Sequence, residues 1–428
     1  MKTKGIDAVI IPSSDTHQSE YSAPRFALRA WISGFSGSAG TVVITQGHAG
    51  LWTDSRYFLQ AENELSGSEM QLHKLLVQTS PEWVEWVAAN LPEGSTTGID
   101  GRVFSLGAAR TMEKMLSEKG IKLVTDFDPA QIWTQGRPDM PHSDVYVHDV
   151  HTAGATAREK IDSVRRVMEA EGARSILIDS LDEVAYMLNI RGGDVAYNPV
   201  TYAYLAVTAG KAILFIDSGK LPSEVKNYLR SATVEVRPYE DVEKWIASET
   251  GKALMADPAK FSAYHRSLLP SDVKLVERTS PVAMMKCVKN EAEIQGERRA
   301  MLKDAVALAE FYRLAEEESE KNGWDEAGSP MSYLFTVEGK GFGGTIQVMC
   351  VIGTDGLIRA CRTMDVSSET TTLGGQTANE SYTGQYTGQD ASLSGVNAIS
   401  GATITSTAYR GCVETAFEAY ELVKEAQK

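Results

Sequence analysis

Short apolar runs that end at glycine or proline recur along the N-terminal two thirds of the chain, and they constrain its fold more than any other feature. Residues 8–11 read Ala-Val-Ile-Ile and stop at Pro12, and residues 41–45 and 50–53 form two further runs around a glycine-containing turn. Runs of this length, rich in β-branched residues, are typical of strands. Between such runs, residues 81–87 open an amphipathic helix with proline in its first turn. The alternation predicts an α/β fold.

The second segment of the chain opens in the same way as the first. Residues 157–171 place charged and apolar side chains at helical spacing, and a glycine then precedes the strand run Ser-Ile-Leu-Ile-Asp at residues 175–179. Residues 4–15 lead into the first strand in a similar manner. We therefore expect two tandem α/β domains, over residues 1–128 and 129–285.

Several motifs in these two segments are specific enough to compare with a known family. They are Pro-Ser-Ser-Asp-Thr-His-Gln-Ser-Glu-Tyr at residues 12–21, Trp-Ile-Ser-Gly-Phe-Ser-Gly-Ser-Ala-Gly at 31–40, Leu-Trp-Thr-Asp-Ser-Arg-Tyr-Phe at 51–58, Ile-Trp at 132–133, Arg-Pro at 137–138, Leu-Asp-Glu-Val-Ala-Tyr-Met-Leu-Asn-Ile-Arg-Gly at 181–192 and Tyr-Asn-Pro at 197–199. With these motifs, residues 1–320 resemble the two creatinase-type N-terminal domains of three-domain Xaa-Pro aminopeptidases. The resemblance implies domains that assist dimerisation and shape access to a catalytic domain.

In that family the third, pita-bread domain holds two metal ions through two Asp, one His and two Glu. The resemblance ends just inside the first helix of that domain, around residues 311–316. The last of the seven histidines is His265, so the residues that follow supply no histidine ligand. We expect a chain truncated before the metal site, with no catalytic residues, no metal and no metallopeptidase activity.

A local group of histidines offers the one alternative metal site. His142, His148 and His151 lie close in sequence to Asp144 and Asp149. Their spacing fits no standard zinc pattern, and we expect an inter-domain connection there.

Composition changes toward Gly, Ser and Pro around residues 323–330, which indicates a linker. A long charged helix is predicted over residues 289–322 and ends at Gly323. We assign residues 286–327 to the helix that would open a pita-bread domain and to the linker, and residues 328–428 to a separate small domain.

That small domain carries signals of a different fold. A glycine-rich turn at residues 339–344 leads into a strand, Asp355-Gly356 predicts a hairpin, and an apolar stripe predicts a terminal helix from about Ser406. The domain is therefore expected to be α+β. The overall fold class is α/β, with two tandem creatinase-type domains followed by this small α+β domain.

Between the polar loop and the terminal helix lies Ser400-Gly401-Ala402-Thr403. This tetrad is similar to the flavinylation motif of the G subunits of Rnf complexes and of the C subunits of sodium-translocating NADH:quinone reductase. The resemblance implies that a dedicated flavin transferase esterifies Thr403 to the phosphate of FMN. Small neighbours leave the hydroxyl accessible, and the amides at a helix start favour a phosphate.

Two further segments follow the same family order. The glycine-rich turn and the loop Glu-Thr-Thr-Thr-Leu-Gly at residues 369–374 match segments that lie beside the isoalloxazine ring in that family. The loop has Thr-Thr where the family usually has Pro-Gly, and Asn397 stands where the family usually has Asp. The resemblance implies a cofactor site formed by Gly343, Gly344, Glu369, Thr370, Leu373, Gly374, Ser400, Gly401, Ala402, Thr403 and Thr405.

Charge and hydropathy exclude other classes of partner. The net charge of -15 argues against nucleic acid, because phosphate binding needs clustered Lys and Arg. No apolar stretch is long enough to span a bilayer and no signal peptide is recognised, so we expect a cytoplasmic protein. All four cysteines are expected to be buried and free of disulfides.

Two functions remain open from the sequence. The first is an FMN-binding, electron-transfer module fused to catalytically empty aminopeptidase domains, either as an evolved protein or as a chimera. Its partners would be a flavin transferase and an unidentified redox partner, with a homodimer formed through the N-terminal domains. The second is a non-catalytic dimerisation or binding protein.

Overall fold

The computed structural model describes residues 1–77, 80–322 and 332–426. The chain divides into two units, Met1–Glu297 and Arg298–Lys428. Among the helices in the described ranges, none is long and apolar enough to cross a lipid bilayer.

The first domain of the N-terminal unit is built on a six-stranded sheet. Its strands are β1 (Ala8–Ile11), β2 (Thr41–Thr45), β3 (Ala49–Thr53), β4 (Gln71–Lys74), β5 (Thr96–Gly98) and β6 (Lys122–Val124), and its helices are α1 (Leu28–Ser33), α2 (Phe58–Glu64), α3 (Glu82–Asn90) and α4 (Leu106–Ser117). The strand order is β4-β3-β2-β1-β5-β6, with β1 antiparallel to β2 and parallel to β5. Every residue of β1 is buried, as expected for a central strand covered on both faces.

The second domain of the unit repeats this architecture. Its elements are β7 (Tyr146–Val147), α5 (Val150–Ala153), α6 (Ala157–Ala170), β8 (Ser175–Ile178), α7 (Leu181–Leu188), β9 (Ile190–Arg191), β10 (Tyr204–Thr208), β11 (Ala212–Phe215), α8 (Ser223–Ser231), β12 (Val234–Arg237), α9 (Asp241–Ser248), β13 (Ala253–Ala256), α10 (Ala263–Leu268), β14 (Lys274–Glu277) and α11 (Pro281–Cys287). The main sheet has the order β12-β11-β10-β8-β13-β14, and β8 is again antiparallel to one neighbour and parallel to the other. The tandem repeat predicted from the sequence is confirmed.

Helix α6 illustrates why the second domain folds where the sequence pattern predicts. Thr156 and Glu159 form a reciprocal capping box at its start, which satisfies two backbone amides that have no partner within the helix. Ile161, Val164 and Met168 then recur at helical spacing and are buried in the core of the domain. Capping and periodicity therefore specify the same helix.

A long helix, α12 (Glu291–Asn322), follows the second domain. It confirms the predicted charged helix, and its side chains from residues 297–315 are exposed. Gly323 and the linker predicted at residues 323–330 lie outside the described residues.

Beyond the part of α12 that it includes, the C-terminal unit holds a three-stranded antiparallel sheet and a second long helix. Its elements are β15 (Ser332–Lys340), β16 (Thr345–Gly353), β17 (Ile358–Asp365), α13 (Glu380–Thr383) and α14 (Thr403–Ala426), with strand order β15-β16-β17. Gly356 adopts a positive φ of 81° in the predicted hairpin between β16 and β17. The small α+β domain predicted from the sequence is confirmed.

The core of this unit forms between the sheet and α14. Ile346, Val348, Cys350 and Ile352 alternate along β16 and are all buried, the period of two that puts one face of a strand into a core. Tyr409, Cys412, Val413, Ala416, Phe417 and Tyr420 belong to the same core and lie on α14. The packing fixes α14, and with it the position at which the helix begins.

One prediction on the cysteines was wrong. Cys350, Cys361 and Cys412 are buried, but Cys287 is exposed. Cys287 is the last residue of α11, where the helix has left the core.

Candidate functional site

Thr403 is the first residue of α14 and its side chain is exposed. The preceding turn closes through a hydrogen bond from the Ala402 amide to the Ile399 carbonyl, 3.0 Å long. Gly401 has a φ of 81°, a conformation that side-chain-bearing residues rarely adopt. The first amides of an α-helix have no intrahelical acceptor and carry the positive end of the helix dipole. The threonine hydroxyl therefore lies where a phosphate would be stabilised.

Ser406 stabilises the turn before Thr403 through two hydrogen bonds. The Ser406 hydroxyl accepts a hydrogen bond from the Ile399 amide at 3.1 Å, and its carbonyl accepts one from the Tyr382 hydroxyl at 3.3 Å. Ala402 and Ser406 are both buried. This turn is fixed by the core, while Ser400 and Gly401 lie at the surface.

Glu369 connects the glycine-rich turn to the start of α14. One carboxylate oxygen accepts a hydrogen bond from the Gly343 amide at 2.9 Å, and the other accepts one from the Thr405 hydroxyl at 2.9 Å. The Thr405 oxygen in turn accepts a hydrogen bond from the Phe342 amide at 3.4 Å. Glu369 and Thr405 are both buried. This buried brace, defined by Gly343, Glu369 and Thr405, joins three segments that the sequence places in one site.

Glycine is required around the brace because the packing leaves no room for a side chain. A Cβ atom on Gly341 would lie 2.2 Å from one Glu369 oxygen, and a Cβ on Gly374 would lie 2.1 Å from the other. A Cβ on Gly343 would lie 2.1 Å from the Ser368 carbonyl oxygen. The backbone at Gly341 and Gly374 therefore approaches the Glu369 carboxylate more closely than a residue with a side chain would permit.

Exposed apolar side chains lie beside these elements. Phe342 is 73% exposed in the glycine-rich turn, Ile404 is 56% exposed directly after Thr403, and Leu373 is 45% exposed. A Cβ on Gly401 would lie 3.3 Å from a Leu373 methyl, so Leu373 borders the turn. Three exposed large apolar side chains near one hydroxyl are typical of a binding surface.

The sequence-derived site residues fall into two groups. Gly343, Glu369, Gly374 and Thr405 meet at the brace, with Gly344 beside Ser368. Ser400, Gly401, Ala402 and Thr403 form the turn and helix start, which Leu373 borders. The Thr370 side chain is exposed, and its carbonyl accepts hydrogen bonds from the amides of Leu373 and Gly375.

Gly341, Phe342 and Ile404 also lie at this site and were not predicted from the sequence. Gly341 and Phe342 belong to the run Gly-Lys-Gly-Phe-Gly-Gly that was recognised as a turn, so the signal was present. Ile404 could have been found as an apolar residue on the polar side of the first turn of a helix.

A second polar cluster lies buried in the N-terminal unit, between its two domains. The two ring nitrogens of His17 lie 2.6 Å from the Asp179 carbonyl oxygen and 2.7 Å from the Tyr239 hydroxyl. Asp15 accepts a hydrogen bond from the Tyr202 hydroxyl at 2.7 Å. Burial lowers the pKa of His17, which favours the neutral ring. These groups bond across the two domains, and all of them except the half-buried Tyr239 are buried.

The histidines of the inter-domain connection do not converge. His142 lies 3.0 Å from an Asp217 oxygen, whereas His151 lies on α5. Within the part of the chain that the structure describes, no group of three or more His, Cys, Asp or Glu side chains is placed to hold a metal ion.

Known protein families match three parts of the chain. The creatinase/prolidase N-terminal domain matches residues 1–130 and again residues 136–293. The FMN-binding domain matches residues 341–418.

Individual relatives match large parts of the chain. Aminopeptidase P2 of Arabidopsis thaliana is 38% identical and the match covers 74% of this chain and 49% of that protein. Xaa-Pro aminopeptidase 1 of Dictyostelium discoideum is 36% identical, with 74% and 52% covered. The crystal structure of X-prolyl aminopeptidase from Caenorhabditis elegans, a cytosolic enzyme with a di-nuclear active site, superposes with a TM-score of 0.69 at 26% identity, covering 87% of this chain and 67% of that one. The chain spans about half the length of the two curated relatives.

Proposed function

Since the chain joins two Xaa-Pro aminopeptidase-like N-terminal domains to an FMN-binding domain, we propose that it is a flavin carrier with FMN attached covalently to Thr403. The observation that carries the proposal is the exposed Thr403 hydroxyl at the start of the 24-residue helix α14, beside the buried brace. The proposed role is electron transfer to a partner protein.

The residues near Thr403 suit two parts of the cofactor, the phosphate and the ring. The first-turn amides of α14 favour the phosphate. The exposed side chains of Phe342, Leu373 and Ile404 offer apolar surface to the planar ring. The brace keeps the glycine-rich turn and the helix start at a fixed separation, so the surface is formed before the cofactor arrives.

Thr403 supplies the oxygen of the proposed bond. A flavin transferase would join Thr403 Oγ1 to the flavin-side phosphorus of FAD, splitting the pyrophosphate and releasing AMP, while the hydroxyl proton passes to solvent. When bound, FMN supplies reversible electron transfer. Thr405 is a poor acceptor because its hydroxyl is buried and donates to Glu369.

Attachment can be tested by intact mass. The chain is produced with and without a flavin transferase and FAD in the same compartment. The transferase is expected to raise the mass by one FMN minus water, and Thr403→Ala should abolish the rise. Thr407→Ala is the matched control, because Thr407 is exposed one turn further along α14. An unmodified wild-type chain, or an adduct that survives Thr403→Ala, would exclude the proposal.

We also propose that the N-terminal domains are not catalytic in this chain. No histidine follows His265, so the family's histidine ligand has no counterpart. Xaa-Pro peptides are therefore expected to remain intact with added Mn²⁺. Release of N-terminal residues by the highly purified chain, above a metal-free blank, would contradict this.

Self-association is a second candidate function, favoured by α12. Seven large apolar side chains on this helix are between 47% and 67% exposed: Met301, Leu302, Val306, Leu308, Phe311, Tyr312 and Leu314. This much exposed apolar surface favours pairing with a second copy of the chain. Light scattering should give a dimer that Leu308→Glu with Phe311→Glu dissociates. A monomer at all concentrations would exclude this function.

A further inference from the structure

Two histidines that are 25 residues apart in sequence meet at the edge of the first sheet. His48 lies in the turn between β2 and β3, and His73 lies in β4. Their Nε2 atoms are 3.1 Å apart. Strand β4 runs parallel to β3 and puts His73 opposite Trp52. The sheet register thus creates the pair.

Aromatic rings hold both imidazoles in place. His73 stacks on Trp52 with ring centroids 3.9 Å apart, and His48 stacks on Trp86 at 4.3 Å. Gly50 leaves the space that the rings occupy, because a Cβ there would lie 2.5 Å from His48 Nε2 and 2.9 Å from His73 Cδ2. The two rings are therefore positioned by packing before any ligand binds.

The protonation state of the two imidazole rings suits the binding of a metal cation. Burial lowers the pKa of both rings, and the proximity of His48 lowers the pKa of His73 further. Both rings are thus favoured in the neutral form, which is the form that binds metals. Both are also half-exposed, so an ion can reach them from solvent.

We propose that His48 and His73 form a site for a divalent transition metal, with Nε2 of each ring as a ligand. Metal–nitrogen bonds of about 2.0–2.1 Å to two atoms at this separation subtend an angle of about 100°, within the range of tetrahedral and octahedral sites. Imidazole donors select Cu²⁺, Ni²⁺ or Zn²⁺ over Mg²⁺ and Ca²⁺. No third His, Cys, Asp or Glu joins the pair among the described residues, so water completes the coordination.

The stacked tryptophans give a direct readout. Cu²⁺ is titrated into the full chain, prepared without a polyhistidine tag, and tryptophan fluorescence is followed. We expect saturable quenching at one ion per chain, reversed when a chelator such as EDTA removes the copper. His73→Ala and His48→Ala should each abolish the saturable phase. His142→Ala and His151→Ala are the controls and should leave it unchanged.

Absence of a saturable phase, or the same half-saturation after His73→Ala, means that the pair is only a hydrogen bond between two neutral rings. X-ray absorption on the Cu²⁺-loaded wild-type chain tests the site without any substitution. Two imidazole nitrogens at the copper support the site, and one or none overturns it.

Discussion

Two clusters of carboxylate and hydroxyl groups in this molecule look alike in composition and differ in access to solvent. In the N-terminal unit, Asp15 and His17 bond to buried neighbours from the other domain. In the C-terminal unit, Glu369 and Thr405 are buried in the same way, but Thr403, two residues along the chain, is exposed. Composition alone therefore does not distinguish a buried structural cluster from a candidate site. The two clusters differ because only the second has an exposed hydroxyl-bearing residue beside its buried pair.

The largest effect is expected from a substitution that disrupts the buried cluster of the N-terminal unit. Asp15→Ala removes the acceptor for the amides of His17 and Ser19 and for the Tyr202 hydroxyl, leaving buried donors unpaired. We expect a loss of about 3–5 kcal/mol in the stability of the N-terminal unit, with flavin attachment unchanged. Denaturant unfolding followed by tryptophan fluorescence measures it. Asp139→Ala, at an exposed carboxylate, is the control. Equal stability of the two variants would remove the structural role.

The corresponding substitution in the cluster of the C-terminal unit should affect both the stability of that unit and the attachment of FMN. Glu369→Ala removes the hydrogen bonds to the Gly343 amide and the Thr405 hydroxyl. A cost of about 2–3 kcal/mol is expected in the C-terminal unit, together with slower FMN attachment. Hydrogen exchange of peptides from this unit measures the change in stability. Intact mass recorded against time measures the rate of FMN attachment. Glu380→Ala is the exposed control, and a variant that matches it in both assays would refute the brace.

Two glycine substitutions test how closely the glycine-rich turn is packed. Gly343→Ala forces a methyl group toward the Ser368 carbonyl, whereas a Cβ on Gly384 meets nothing within 4 Å. We expect a cost of about 2 kcal/mol for Gly343→Ala and almost none for Gly384→Ala. Thermal unfolding of the C-terminal unit compares them, and similar midpoints would mean that the turn can relax.

The smallest expected effect has the opposite sign. Gly411 lies inside α14, and a Cβ there meets nothing within 4 Å. Gly411→Ala should stabilise the C-terminal unit by about 0.5–1 kcal/mol, because alanine loses less backbone entropy in a helix. A higher unfolding midpoint with unchanged FMN attachment is expected. A lower midpoint would indicate a hidden clash.

The sequence was most informative where burial is complete. Strands β1 and β8 were predicted because all four residues of each are apolar or small and buried on both faces. Strand β15 was missed because its residues alternate between half-buried and exposed positions and include Gly339, which suggested that the turn began there. The turn begins only after Lys340.

The residues of the candidate site could be proposed from sequence motifs, but the contacts among them could not. Thr403 and Glu369 follow from motifs, but the bond between Glu369 and Thr405 joins residues 36 positions apart. His17 and Tyr239 are 222 positions apart, and His48 and His73 are 25 apart. Local periodicity carries no information on such pairs, because the sheet register and the domain packing bring them together.

Covalent attachment of FMN to Thr403 is tested most directly by locating the flavin on the chain. Wild-type protein loaded by a flavin transferase is digested, and the modified peptide is fragmented by mass spectrometry. We expect the FMN phosphate on Thr403, at the exposed start of α14. An adduct on Thr405, on Ser400 or on any residue outside the C-terminal unit would contradict it.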